Sequence, residues 1–387
     1  MTTSHTDMKV RDVAHPMLAQ LEPEDGSRQR AVVLMRRILS SKVRSQNHRL
    51  LAETGAPTFQ ARHGRPPESL ADIEESLFDV PAYRMWSAAN RAVQEMLWMS
   101  VGEPIFRDQA RIEAAAKALS EAPDKRGSLH LDPGYDPSPE VAEVDIHLQP
   151  GGYALARSPT DVTAGALYET GGNVFSFSVG GRRDDSKAAA ISRLIEQEYP
   201  GFVPRRILDL GCSAGAASAA YAWRYPDAEV HALDIGAGML RYAHARAESL
   251  GVAVHFHQMD ASRLAFADAS FDLVVSHNVL HEMSDQTRQA MIAESMRVLR
   301  PGGLLIYQDV NVRSITDPVV KADIVWEKHF NGERFWLAYS NADLCADLLA
   351  GGFPSEQIRE HEIPAVAGAL RWYVIAARKP ETQGTPA

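Results

Sequence analysis

The chain has 387 residues, 45% of them hydrophobic, a formal net charge of −10 and two cysteines, Cys212 and Cys345. That length allows a substantial core and two domains or one with a large appendage, while the acidic balance argues against broad nonspecific attraction to nucleic acid, making a nucleic-acid partner unexpected. Two cysteines exclude a disulfide-stapled or cysteine-rich zinc domain, and the absence of an apolar signal core or membrane-length apolar run leads to the expectation of a cytoplasmic protein without membrane insertion.

Residues 1–27 are polar and mixed. From 28 to 51 the spacing of Ala31, Val32, Met35, Ile38 and Leu39 predicts an amphipathic helix, and 68–77 predicts another. Pro81 opens a strongly apolar helix with Met85, Met96, Leu97 and Met99, whose Trp86 and Trp98 suit core or interface packing. With a further helix at 106–119, residues 1–125 form an expected helical cap or homodimerisation domain. A mixed β linker and pocket wall is expected over 126–184. Within it, strands at 142–148 and 153–156 flank Gln149-Pro150-Gly151-Gly152, a hairpin signal. Residues 164–168 and 174–177 are left open, and Tyr153, Tyr168, Phe175 and Phe177 are candidate wall residues.

Residues 185–387 alternate between helix and strand. Strands are expected at 206–210, 229–233, 254–258, 271–276 and 304–309, with helices at 214–223, 238–250 and 285–299 between them. A lid-like insertion covers 310–340, and strands at 357–362 and 372–377 close the domain. The fold class is α/β, a doubly wound Rossmann-like sheet with a mainly helical N-terminal domain and a short β hairpin. The first strand runs into RRILDLGCSAG at 205–215, where glycines and a helix start suit a cofactor loop. A dinucleotide site would use GxGxxG, and Ser213 stands where its second glycine would fall.

This order and its local sequences resemble the class I S-adenosylmethionine-dependent methyltransferases, particularly those acting on small molecules. The segments that carry the resemblance are RRILDLGCSAG, VHALDIG, FHQMDASRL, FDLVVSHNVLHEM and RVLRPGGLLI. It implies that Asp209, Gly211, Ser213 and Gly215 hold the methionyl part of S-adenosyl-L-methionine and that Asp234 accepts from the ribose hydroxyls. It further implies that Met239 flanks the adenosine and that Asp260, with Met259 or Ala261, receives the adenine. Ser276, His277 and Asn278 would lie at the strand exit beside the transferred methyl, with S-adenosyl-L-homocysteine as the product.

An oxygen acceptor must lose its proton, and histidine suits that work near neutral pH. His281 is preferred over His277 as base or acceptor-orienting residue, and a structural or helix-start role is open for both. Glu282 could orient a histidine. Tyr168, Asn278, Trp326, Phe330, Phe335 and Trp336 are candidate substrate contacts, with cap packing as the alternative for the aromatic residues. No metal ligand set is expected: Asp309 is followed by Val310 and Asn311, and Asp145 and His147 form an isolated pair. The reading is an O-methyltransferase for a small hydrophobic or aromatic metabolite in specialised metabolism. The alternatives are a small-molecule N-methyltransferase or a non-catalytic S-adenosylmethionine-binding interaction protein.

Overall fold

A computed structural model describes residues 14–175, 186–313, 315–364 and 371–381. Its centre is an eight-stranded sheet made of β1 (Ser128–His130), β2 (Arg206–Leu210), β3 (Glu229–Asp234), β4 (His255–Gln258), β5 (Phe271–His277), β6 (Leu299–Val310), β7 (Ile358–Pro364) and β8 (Arg371–Arg378). The spatial order is β1-β4-β3-β2-β5-β6-β8-β7, parallel except for β8, which runs antiparallel to both β6 and β7. Because β2 pairs with both β3 and β5, the chain winds away from it in both directions. The loop leaving β2 therefore sits at the topological switch point, where open α/β sheets place their ligand crevice.

Alternating strand residues fill a core on each face. Ile207, Val230, Ala232 and Val275 face the helices Ser186–Glu198 and Ala216–Arg224, while Leu208, Leu210, Val274 and Tyr307 face Asp285–Val298 and Leu344–Ala350. Burial on both faces explains why these strands read as unbroken apolar runs.

The N-terminal region is helical, as its periodicity predicts. Helices Pro23–Arg37 and Pro81–Arg107 pack with Thr163–Phe175 around Val32, Leu97, Val101 and Leu167, and this cluster extends to Met239 and Tyr242 of helix Ala237–Ser249. At that junction Gly165 lies so close to Tyr242 that an added Cβ would stand 2.3 Å from the tyrosine Cβ. The segment after β6 returns to the same bundle, where helix Pro318–Phe330 buries Trp326 against Trp86.

One local expectation is corrected and two unassigned stretches gain a structure. Residues 142–156 hold no hairpin: helix Pro139–Ala142 is followed by a single 3₁₀ turn, Ile146–Leu148. His147, Leu148, Gly151 and Gly152 all have positive φ, a backbone run that cannot lie in a strand. The short antiparallel hairpin of this fold is β7–β8 instead. Residues 164–168 and 174–175 belong to helix Thr163–Phe175, whereas Phe177 lies outside the described residues. Finally, β1 was missed in a Gly/Pro/Asp-rich stretch because three residues carry no periodic signal, and only pairing with β4 makes them a strand.

Candidate active site at the switch point

β2 leads through Gly211, Ser213 and Gly215, at φ +71°, +49° and +74°, into helix Ala216–Arg224. A Cβ on Gly211 would meet Val279 Cγ2 at 2.5 Å, so the loop passes directly beneath the turn that follows β5. Ser213 tolerates the left-handed conformation in a loop where its N–H donates to Asp234 Oδ2 at 2.9 Å. Asp209 is buried and accepts from Ser218 Oγ at 2.6 Å, which braces the turn from inside. Burial pushes the Cys212 thiol well up, leaving it a small packed residue and no nucleophile.

Asp234, at the end of β3, accepts from Ser213 N and from Gly236 N at 3.0 Å, and burial raises its carboxyl above the usual range against those two donors. Asp260 lies beyond β4, where its Oδ1 caps a turn by accepting from the N–H and Oγ of Ser262, both at 2.7 Å. Tyr135 was not singled out from the sequence. Burial and, to a lesser extent, the charges of Asp260 and Asp234 push its phenol up. Met259 is half-buried, its sulfur accepting from Ala265 N at 3.3 Å, and Ala261 is buried beside it. Met239 is 1% exposed and packs into the helical-bundle cluster, which also takes in Ala214 of the loop after β2.

The two histidines after β5 separate clearly. His277 Nε2 lies 2.9 Å from Tyr221 Oη and Nδ1 lies 3.0 Å from Gln308 Oε1, which gives both ring nitrogens structural partners. Ser276 donates to Leu210 O, and Asn278, at φ +57°, accepts from Gln308 Nε2 at 3.1 Å. His281 instead places Nδ1 2.5 Å from Asp309 Oδ1 and Nε2 3.4 Å from Glu282 Oε1. Burial opposes a charge on this imidazole, but Asp309 and Glu282 outweigh it and hold its pKa well above the ordinary value. Trp336 packs edge-on against the ring at 5.5 Å, and Tyr153 Oη lies 3.4 Å from Glu282 Oε1 with Tyr168 against its ring.

Two further side chains arrive from distant segments. His147 Nε2 lies 3.6 Å from Glu282 Oε1, and His147 Nδ1 contacts Glu333 Oε1. The expectation that His147 is isolated is thereby overturned. His147, His281, Glu282 and Glu333 each offer a ligand atom within 4.8 Å of the others, and Asp145 is not among them. Burial, assisted by Glu282, raises the Glu333 carboxyl, and burial with Glu333 pushes Glu327 up to about 7. No motif joins residues 147, 281 and 333, so sequence spacing carries no signal for this cluster.

The aromatic candidates after β6 divide in the same way. Trp336 reaches the site and Phe335 is half-buried at the start of its helix. Trp326 and Phe330 do not reach it: Trp326 Nε1 donates to Ser87 Oγ at 2.7 Å, and both rings join the interface cluster with Trp86 and Phe78.

The family described as "Methyltransferase domain" matches residues 207–303, which span β2 to the start of β6. "Methyltransferase GfsG" of Streptomyces halstedii is 35% identical over 143 residues, 36% of this chain and 50% of its own length. A "Malonyl-[acyl-carrier protein] O-methyltransferase" of Methylococcus capsulatus is 40% identical over 110 residues, 28% of this chain and 38% of its own. The chain thus spans half or less of the length of these two curated relatives. A solved phosphoethanolamine N-methyltransferase 2 of Haemonchus contortus, in complex with S-adenosyl-L-methionine, has a TM-score of 0.41 and 17% identity, covering 58% of this chain and 59% of that one.

Proposed function

We propose that the chain, whose residues 207–303 match a methyltransferase domain, binds S-adenosylmethionine at its switch point and is an O-methyltransferase for a small hydrophobic or aromatic metabolite. The observation that carries this reading is the His281–Asp309 pair, standing on the turn whose Val279 covers Gly211.

The residues around the loop fit the donor. The Asp234 carboxylate is fixed by two backbone donors, and Asp260 follows the next strand, a pair suited to ribose hydroxyls and an adenine amino group. When bound, S-adenosylmethionine supplies a methyl group already activated as a sulfonium. The chain's own work is then to hold an acceptor in line and remove its proton, which His281 does only above the raised pKa that Asp309 and Glu282 give it. Asp309 accepts from His281 Nδ1 and from Leu280 N, which fixes the ring with Nε2 on the Glu282 side. Tyr153, Tyr168 and Trp336 supply an aromatic wall that excludes water and favours a planar acceptor.

A second reading has its own support. Glu282, Glu333 and Asp309 concentrate buried carboxylates that would also attract an ammonium group, favouring an amine acceptor. Incubation with methyl-labelled S-adenosylmethionine and matched phenol, carboxylic acid and amine panels, with fragment-ion mapping of the product, tests both. Label on oxygen supports the first, label on nitrogen the second, and no transfer together with no donor binding defeats the enzymatic reading. Exposed Met85, Met96 and Met99 on helix Pro81–Arg107 support association as a homodimer through the N-terminal region. Light scattering tests that association, and a monomer at micromolar concentration would reject it.

A further inference from the structure

We propose that His147, His281, Glu282 and Glu333 form a binding site for one divalent transition-metal cation at the junction between the helical region and the α/β domain.

The ligand set is two imidazoles and two carboxylates drawn from three separated segments, with all four ligand atoms within 4.8 Å of one another. Metal–ligand bonds of about 2.1 Å in a tetrahedral site give edges of about 3.4 Å. The His281–Glu282 approach of 3.4 Å already matches such an edge, and the 3.6 Å between His147 and Glu282 is close to it. Imidazole with carboxylate suits zinc, iron or manganese, whereas magnesium and calcium favour all-oxygen sites.

Independent features of the chain build this site. The Glu333 side chain is fully buried: Oε1 contacts His147 Nδ1, while Oε2 has no hydrogen-bond partner among the described residues. A buried carboxylate oxygen without a donor is costly unless a further group, such as a cation, satisfies it. The backbone is also strained to deliver His147, at φ 54° with Leu148 at φ 61°, and the His147 carbonyl is gripped by Gln94 Nε2 at 2.8 Å and Trp98 Nε1 at 2.5 Å. Gly332, at φ +74°, lets the loop carrying Glu333 approach so closely that an added Cβ would meet Asp145 O at 2.5 Å. Behind the ligands, Asp309 holds His281 through Nδ1 and leaves Nε2 for the cation, the carboxylate–histidine arrangement that orients metal-bound imidazoles.

Binding of the cation stands apart from the methyl-transfer reading. The further role, polarising an acceptor oxygen beside the donor, rests on that reading and replaces proton removal by His281, whose Nε2 the cation takes. In it the acceptor O–H gives its proton to solvent, the oxygen lone pair forms the new O–CH₃ bond, and the C–S bond breaks with its electron pair going to sulfur.

The full chain, stripped with chelator and dialysed, is titrated calorimetrically with Zn²⁺, Mn²⁺ and Mg²⁺, with metal content measured by mass spectrometry and Co²⁺ loading followed by visible absorption. One equivalent of Zn²⁺ or Mn²⁺ per chain, bound at least tenfold more tightly than Mg²⁺, is expected, together with a Co²⁺ ligand-field band. Glu333→Gln and His147→Gln should each weaken binding at least tenfold, with circular dichroism reporting the fold of each variant. His257→Gln, in the separate patch of His231, His255 and His257 on β3 and β4, should leave the stoichiometric site intact. No stoichiometric binding or Co²⁺ band in the wild type, preference for Mg²⁺, full affinity in both site variants, or loss in His257→Gln would each overturn the proposal. Because these readouts require no turnover, their failure is separable from failure of methyl transfer.

Discussion

In the loop leaving β2, single substitutions act on specific close approaches. Gly211 combines a left-handed φ with a Cβ position 2.5 Å from Val279, so Gly211→Ala strains the loop by about 1–3 kcal/mol and moves it. Calorimetry should show S-adenosylmethionine affinity falling about tenfold or more, and wild-type affinity would remove the loop from the donor site. The two histidines make a sharper contrast. His281→Gln should lower kcat by about 10²-fold with donor affinity retained, whereas His277→Gln, which loses Tyr221 and Gln308 as partners, should lower the melting temperature and leave kcat near wild type. Equal kcat losses in the two variants would reject the distinction. The motif FDLVVSHNVLHEM presents both histidines, and their roles differ only through partners at 221, 308 and 309. The positions of Asp234, which ends β3, and Asp260, just beyond β4, were legible from the strand pattern, while the packing of Met239 against the bundle was not, because no local pattern encodes where the bundle lies.

At the level of elements, the helical region is held to the α/β domain by a buried ionic knot. Glu169 accepts from Arg246 Nε at 3.0 Å and Tyr242 Oη at 2.6 Å, and lies 2.9 Å from His15 Nε2. Burial opposes the charge on Glu169, but Arg246 and these partners overcome it and lower its pKa to about 2. A carboxylate depressed in the folded state contributes stability that is present above its unfolded pKa and is lost as pH falls through its folded pKa. Chemical denaturation of wild type against Glu169→Gln should therefore show an advantage of about 3 kcal/mol at pH 6 that shrinks steadily between about pH 5 and pH 2. An advantage independent of pH would show that the knot is not ionic. Gly165→Val should separate the helices at Tyr242 and cost about 1–3 kcal/mol by overpacking. The helices themselves were legible from apolar periodicity. The false hairpin at 142–156 arose because a Pro-Gly-Gly turn between apolar residues has the same composition whether its neighbours are extended or, like His147 and Leu148, left-handed.

Across the whole molecule, the first third of the chain and the segment after β6 close on each other far from either one's sequence neighbours. Trp326 joins them through Trp86 and Ser87, so Trp326→Ala should destabilise the protein by about 3–5 kcal/mol and lower the midpoint of one shared unfolding transition. Two transitions, with only one affected, would show that the regions unfold independently. The sequence by itself determined the parallel sheet, the glycine loop at its switch point and the acidic strand ends, because local propensity and strand order act over short stretches of chain. Only the tertiary structure decided which partners each histidine takes, that Trp326 packs against Trp86 and Ser87, and that His147 and Glu333 meet His281 and Glu282. Those outcomes depend on side chains from segments 28 to 239 residues apart sharing one buried space, where desolvation and close packing, not spacing along the chain, select the partners.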